Sequence, residues 1–384
     1  MVSERPVIVI IGASFAGIPI AHSLLEDVTC EVILINPSPT FYYTVASPRI
    51  MAKPTAFHTE DYLIPIRSTF DRYSPDSFDS VEGRVRSIEL DQHSVTLDNG
   101  ASIPFDYLVI SSGSTTQSTV REDVPVPFKQ SNLHNMETLI KNAQDAICSA
   151  SSIVNGGAGR IGVELAGEIA EAAEQRGEIV EITIVFASHT ALPMLKDSAS
   201  KAAESLLAQK KVRLIRSCKV TSACMSTDNK IWDITLGSGD QITADLYIPT
   251  TGVVPNNSFI PRELLDDGGW VKVNSELRVF IDHDEQHPIY AAGDITNNSM
   301  RLAFKAAEQA AVVAANIKND ILGHNLKTKR WVYDQGKSVV MVVPVGASGG
   351  TGQLLGATLW SFMVKYLKSS DFFISKARSM IKAG

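Results

Sequence analysis

Cysteine is scarce in this chain: Cys30, Cys148, Cys218 and Cys224 are the only four in 384 residues. None forms a Cys-x-x-Cys pair and none has a histidine nearby at metal-ligand spacing, which excludes a structural zinc site of ordinary pattern and a redox dithiol relay. Free thiols are what remains. Positive charge is also in short supply, with 35 Lys and Arg against 42 Asp and Glu and a formal charge of -7. Nucleic acid, whose phosphates demand concentrated cations, is therefore not an expected partner. No long apolar run precedes the first strand: Met1 to Pro6 lead directly into Val7. That is too short for a signal peptide or a membrane span, and Val2 stands where myristoylation would need glycine. A cytoplasmic location is the expectation.

What the chain does have is apolar content, 44% hydrophobic against 20% charged, at a length that suits two or three domains. Val7-Ile-Val-Ile-Ile11 is a continuous apolar run of the kind buried on both faces of a parallel sheet. Gly12-Ala-Ser-Phe-Ala-Gly17 follows, then a helix over Ile18–Leu25 and a strand over Glu31–Ile35. The pattern recurs: strand Ser152–Gly157, turn Gly157-Ala-Gly-Arg-Ile-Gly162, helix Ile161–Glu174, strand Glu181–Phe186. In a Gly-x-Gly-x-x-Gly turn the first glycine allows the tight bend, the second lets backbone approach a pyrophosphate, and the third lets helix and strand pack closely. The helix N-terminus then supplies free amide hydrogens and partial positive charge. Two such turns imply two dinucleotides on one polypeptide, the arrangement a flavin needs to receive a hydride from a nicotinamide.

The two turns are unequal. The first keeps Gly12 and Gly17 but has Ser14 in the middle position, with Phe15 and Ala16 completing the turn. Asn36 ends the next strand where an acid usually meets the adenosine ribose, and it accepts without a charge-assisted bond. The second has Gly157, Gly159 and Gly162, with Arg160 and Ile161 inside the turn and Glu164 just beyond it. After the strand Glu181–Phe186 come Ala187, Ser188 and His189, with neither an acid to repel a ribose 2'-phosphate nor an arginine to attract it. NADH and NADPH both stay open.

Between and after these units, residues 41–80 form an excursion with a possible helix near 44–51. Arg84–Ile88 and Ser94–Leu97 suggest a small antiparallel addition. Phe105–Gly113 returns a buried strand that ends at Ser112 and Gly113. A hinge is expected at 114–128 and a helix at 136–148, then a helix at 198–209, a strand at 212–216, a hairpin at 231–236 and a strand at 242–248. Strands near 270–273 and 278–280 and a helix at 302–318 follow. The tail offers a strand near 338–343, a glycine-rich turn and an amphipathic helix near 353–368. There Leu355, Leu359, Phe362, Met363 and Tyr366 fall on neighbouring helical rows, which suits either core packing or a membrane surface.

The ordered set Gly12–Gly17, Phe105–Gly113, Gly156–Glu168 and Tyr290-Ala-Ala-Gly-Asp-Ile295 resembles the two-dinucleotide flavoprotein superfamily over residues 7–320. Within it, the chain resembles the apoptosis-inducing-factor-like proteins that include the ferroptosis suppressor, with type II NADH dehydrogenases as more distant relatives. Gly349–Gln353 and Leu367–Ser375 extend the likeness through the tail. The resemblance implies an α/β protein with two Rossmann-like three-layer dinucleotide-binding domains and a small C-terminal α+β region. The bounds are 1–120 and 249–323 for the FAD-binding parts, 121–248 for the NAD(P)H-binding domain, and 324–384 for a region covering the flavin face. It implies FAD, NADH or NADPH, and a small-molecule electron acceptor such as a quinone, with peripheral membrane contact through the tail as an extension. Gly293 and Asp294 would lie on the flavin ribitol side, backbone at Arg84–Val85 near adenine, and Arg49 at the FAD phosphates or on the surface. Glu164 and Lys368 resemble the family's acid and lysine near the reacting rings; a helix-terminal charge and a solvated lysine are the plainer readings. A specialised small-molecule oxidoreductase, or a redox-responsive binding protein with little turnover, is the alternative function.

Overall fold

The computed structural model describes residues 5–131, 135–226, 231–280, 288–323 and 329–382. Residues 1–4, Val2 among them, and 324–328, where the expected tail begins, lie outside the described residues.

Two parallel sheets organise the chain. The first has five strands in the order Ile289–Ala291, Tyr107–Ile110, Val7–Ile11, Glu31–Asn36, Phe78–Glu82. The second has four in the order Arg213–Ile215, Glu181–Val185, Ser152–Gly156, Leu246–Pro249. Ile8, Val9 and Ile10 are completely buried, as the apolar run requires of a strand covered on both faces. Register places Ile11 opposite both Ile35 and Ile110, so the first glycine turn leaves the sheet at the carboxyl ends of three neighbouring strands. The second sheet repeats the layout, with Gly156 opposite Val185 and Pro249. Strand Ile289–Ala291 pairs in parallel with Tyr107–Ile110, so the segment that carries Gly293 and Asp294 returns beside the first turn. Each half also carries an antiparallel three-stranded sheet: Val85–Glu89, Ser94–Leu97 and Ser102–Pro104, and then Val220–Met225, Trp232–Leu236 and Gln241–Ala244.

Several elements differ from expectation. The strand expected at 242–248 breaks at Asp245, whose carboxylate accepts from the amides of Ser151 and Ser152. Its first part joins the antiparallel sheet and its second part the parallel one. Residues 270–273 and 278–280 make isolated bridges such as Val273 with Val279. The largest correction is the tail: residues 353–360 are not helical. Gly350–Leu354 is a strand antiparallel to Met341–Pro344, and the chain turns back at Leu355 and Gly356, both at positive φ. Four glycines between 349 and 356 weaken any helix there. Helix begins only at Ser361 and becomes a π-helical turn over Lys365–Ser369.

A buried seam of charge joins the pieces. Helix Ser47–Ala52 presents Arg49 and Lys53 follows it; helix Arg160–Arg176 presents Glu168 and Glu171. Arg49 is held by both oxygens of Glu168, at 2.9 and 2.8 Å, and Lys53 pairs with Glu168 and Glu171. Arg49 also donates to the Ser370 carbonyl and lies over the Phe372 ring, so the tail is fastened to the same seam.

Candidate active site

A cavity of about 430 Å³ is lined from both halves of the molecule. Asn36, Gly83 and Val85 contribute from one side of the first sheet, Gly12, Ser14, Phe15 and Ala16 from its glycine turn, and Ser112 and Gly113 from the neighbouring strand end. Gly293 and Asp294 join from the returning segment, and Arg160, Ile161 and Glu164 from the second unit. Gly17, Gly157, Gly159, Gly162, Arg49 and Lys368 are not part of this lining.

The glycines divide by what surrounds them. Gly12 (φ 102°) and Gly157 (φ 127°) adopt a backbone that L side chains rarely reach. A Cβ on Gly17 or Gly162 would collide with the carbonyl oxygen of Gly12 or Gly157 respectively, so these third glycines let helix and strand meet. At Gly159 a Cβ would meet no protein atom within 4 Å. The fold itself makes no demand for glycine there, and the free approach suits a diphosphate lying on the backbone. Ser14 holds the equivalent place in the first turn and lines the cavity, so that position accepts a small side chain.

Asn36 braces the turn rather than standing free. Its Oδ1 accepts from the Ala13 amide at 3.0 Å and its Nδ2 donates to the Ser38 carbonyl at 2.8 Å, leaving one amide hydrogen and one lone pair for a ligand. Asp294 accepts from the Ser114 hydroxyl and from Lys129 Nζ, each at 2.8 Å. Burial acts to raise the Asp294 pKa, but Lys129 and Ser114 outweigh it and hold the carboxyl below its ordinary value. Gly293 is fixed by its amide donating to Gln309 Oε1 at 2.6 Å. Nothing in the sequence singles out Lys129, Ser114 or Gln309. Lys129 sits in an irregular stretch without periodicity, and only the fold brings it to Asp294.

Glu164 and Lys368 meet across 204 residues of chain, with Lys368 Nζ donating to Glu164 Oε1 at 2.6 Å. Both side chains are almost entirely buried. Burial pushes the Glu164 carboxyl up against the opposing pull of Lys368 and Arg160, and pushes the Lys368 ammonium down against the pull of Glu164. The two groups are thus drawn toward each other in proton affinity, which favours proton exchange between them. Glu164 faces the cavity and Lys368 stands behind it, also donating to the Val342 carbonyl at 3.3 Å. The plainer readings, a helix-end charge and a solvated lysine, do not describe this buried pair.

Arg49 requires a correction. It neither lines the cavity nor lies on the surface, because Glu168, one turn along the helix from Glu164, takes its guanidinium in a buried bidentate pair. Sequence alone could not show that an acid from the second unit would claim it. The four cysteines are all free, and burial raises the Cys30 thiol to about 11, which keeps it protonated and unreactive.

A model of the pyridine nucleotide-disulphide oxidoreductase family matches residues 6–310. The chain is 29% identical to oxidoreductase ptaL of Pestalotiopsis fici over 95% of this chain and 96% of that protein. It is 30% identical to ferroptosis suppressor protein 1 of Xenopus tropicalis over 98% and 96% respectively. In fold it is similar to the sulfide:quinone oxidoreductase of Aquifex aeolicus, with a TM-score of 0.76 at 17% identity over 99% of this chain and 93% of that one. Members of the matched family bind FAD and use NAD(P)H. With the paired glycine turns, the two parallel sheets and this match over most of its length, the chain belongs to the pyridine nucleotide-disulphide oxidoreductase family and is an oxidoreductase.

Proposed function

We propose that the protein holds FAD along the first glycine turn, takes electrons from NADH or NADPH seated on the second, and passes them to a quinone-like or other small organic acceptor. The observation that carries this reading is a single cavity that runs from Asn36 and Val85 to Arg160 and Glu164, touching both nucleotide units. FAD, when bound, supplies the two-electron chemistry between nicotinamide and acceptor. The chain's own residues supply position and charge. Gly12 and the amides at the start of helix Gly17–Asp27 suit a diphosphate, Asn36 keeps the turn in place, and Asp294 offers an ionised acceptor to ribitol hydroxyls. Arg160 brings positive charge to the cavity, and Glu164 can hold or release a proton there while Lys368 sets its affinity. Phe15, Phe41 and Tyr43, whose ring centroids lie 5.1 to 6.5 Å apart, form an aromatic cluster against the turn that excludes water. No cysteine lines the cavity and none forms a Cys-x-x-Cys pair, which favours a small-molecule acceptor over a disulfide.

Anaerobic NADH or NADPH should bleach the oxidised flavin of the purified protein, and a short-chain quinone should restore it. Failure of both nucleotides to bleach would defeat the reading.

We further propose that the tail rests on a membrane surface. Leu359 is buried, but Leu355, Trp360, Phe362 and Tyr366 are exposed, with Lys365 also exposed among them. Aromatic rings beside a lysine suit the headgroup boundary. No helix among the described residues is long and apolar enough to cross a membrane, so the contact is peripheral. In sedimentation with anionic liposomes the wild type should pellet, and the triple variant Trp360→Ser, Phe362→Ser, Tyr366→Ser should stay in the supernatant. Equal partition of the two would remove the proposal.

A further inference from the structure

The residues that follow strand Glu181–Val185, from Phe186 through Ala187 and Ser188 to His189, offer a ribose 2'-phosphate no fixed positive charge. The fold adds what that strand lacks. The neighbouring strand Arg213–Ile215 runs parallel to Glu181–Val185 with Ile215 opposite Val185, and the pairing continues past the sheet. Phe186 donates to the Ile215 carbonyl, Cys218 to the Phe186 carbonyl and Ser217 to the Ser188 carbonyl, each at 3.0 Å. Arg216 and Ser217 therefore lie alongside Ala187 and Ser188.

This edge adjoins the second glycine turn. The Leu192 amide donates to the Ala158 carbonyl at 2.9 Å, which ties the loop after Phe186 to the turn itself. Glu204 accepts from the Ala191 amide at 2.9 Å and from Arg216 at 2.8 Å, so it holds the arginine against the same loop. One guanidinium nitrogen is used there, and the arginine keeps further N–H donors. The Ser217 hydroxyl meets His189 Nδ1 at 2.8 Å. Ala187, Arg216, Ser217 and Lys219 line one cleft, in which Arg213 adds a third cation and Asp240 a single carboxylate. A dinucleotide on a Gly-x-Gly-x-x-Gly turn places its adenosine ribose at the end of the second strand, which here is Phe186–Ala187.

We infer that the second nucleotide site is built for NADPH, with the 2'-phosphate of its adenosine ribose received by Arg216 and Ser217 beside Ala187, and Lys219 adding positive charge. The inference rests on the proposed nicotinamide site and names its specificity. Arg216 acts on the phosphate directly, and Glu204 positions Arg216.

Calorimetric titration of the FAD-loaded protein with NADP+ and NAD+ tests it, with adenosine 2',5'-bisphosphate and AMP as fragments that isolate the phosphate. The bisphosphate should bind more tightly than AMP, and NADP+ more tightly than NAD+, by roughly tenfold to a hundredfold, the range of a charge-assisted contact. Arg216→Gln should abolish that preference and leave NAD+ affinity unchanged. Ala187→Asp, at an exposed position outside the Arg216–Glu204 contact, should also abolish the preference, by repelling the 2'-phosphate and accepting from the ribose hydroxyls of NAD+, and guards against a folding effect of the first variant. Equal or tighter binding of NAD+ by the wild type, or an unchanged preference in both variants, would overturn the inference even if NADH bleaches the flavin. If neither NADP+ nor NAD+ binds, and neither NADPH nor NADH bleaches the flavin, the nicotinamide site fails and the inference fails with it.

Discussion

Replacing Glu168 by Gln is expected to destabilise the protein by about 3–5 kcal/mol, the range for breaking a buried ion pair from one side. Glu168 is fully buried, and it neutralises both Arg49 and Lys53. Removing its charge strands a guanidinium that is itself buried and already committed to the Ser370 carbonyl. Lys53 suffers less because Glu171 still pairs with it. Urea unfolding followed by tryptophan fluorescence should show the loss as a lower midpoint. The double variant Arg49→Met, Glu168→Leu should recover much of it, since an apolar pair of similar volume escapes the desolvation penalty. An unchanged midpoint for Glu168→Gln would show that the seam contributes little and that the contacts around it hold the halves together.

Lys368→Met should slow turnover by about 10²-fold or more, within the roughly 10²–10⁴-fold range of general acid–base assistance, while the protein keeps its flavin. Retention follows from the lining: the lysine stands behind Glu164 and outside the cavity that the flavin would fill. The pH dependence carries the sign. Burial already pushes the Glu164 carboxyl up, and Lys368 opposes that rise. Without the ammonium the carboxyl moves further up, so the limb of the pH–rate profile that reports Glu164 should shift to higher pH. Lys368→Arg should restore part of the rate and move the limb back. Wild-type turnover in Lys368→Met would remove the lysine from the mechanism, and flavin loss in parallel with the rate would reassign it to binding.

The parts legible in sequence were those in which one residue type answers one local demand. The first buried parallel strand reads as an unbroken apolar run at Val7–Ile11, and Gly12, Gly17, Gly157 and Gly162 each answer a backbone or packing need that no other residue meets. In the tail, Leu355, Leu359 and Phe362 follow helical spacing, but Gly350, Gly352 and Gly356 disfavour helix, and the backbone pairs across to Met341–Pro344 and turns at Leu355 and Gly356 instead. Arg49 went to Glu168, Lys129 to Asp294 and Arg216 to the end of a neighbouring strand because each position depends on a partner that only the folded chain brings near. Charged side chains carry no periodic signature of the group they will meet. The glycine turns announce a nucleotide; the residues that set its charge and its proton affinity come from elsewhere.

The bond between Lys368 and Glu164 also fixes an order of events during synthesis. Helix Arg160–Arg176 leaves the ribosome about two hundred residues before its lysine partner does, and Arg49 waits still longer for Ser370 and Phe372. Until then the nascent chain holds Glu164 without its cation, and a translation product cut short before residue 368 would hold it so permanently. Such a fragment would keep both nucleotide turns and carry a carboxyl whose rise is opposed by Arg160 without Lys368. On the role proposed for Lys368, full turnover would then arrive only with the final stretch of translation.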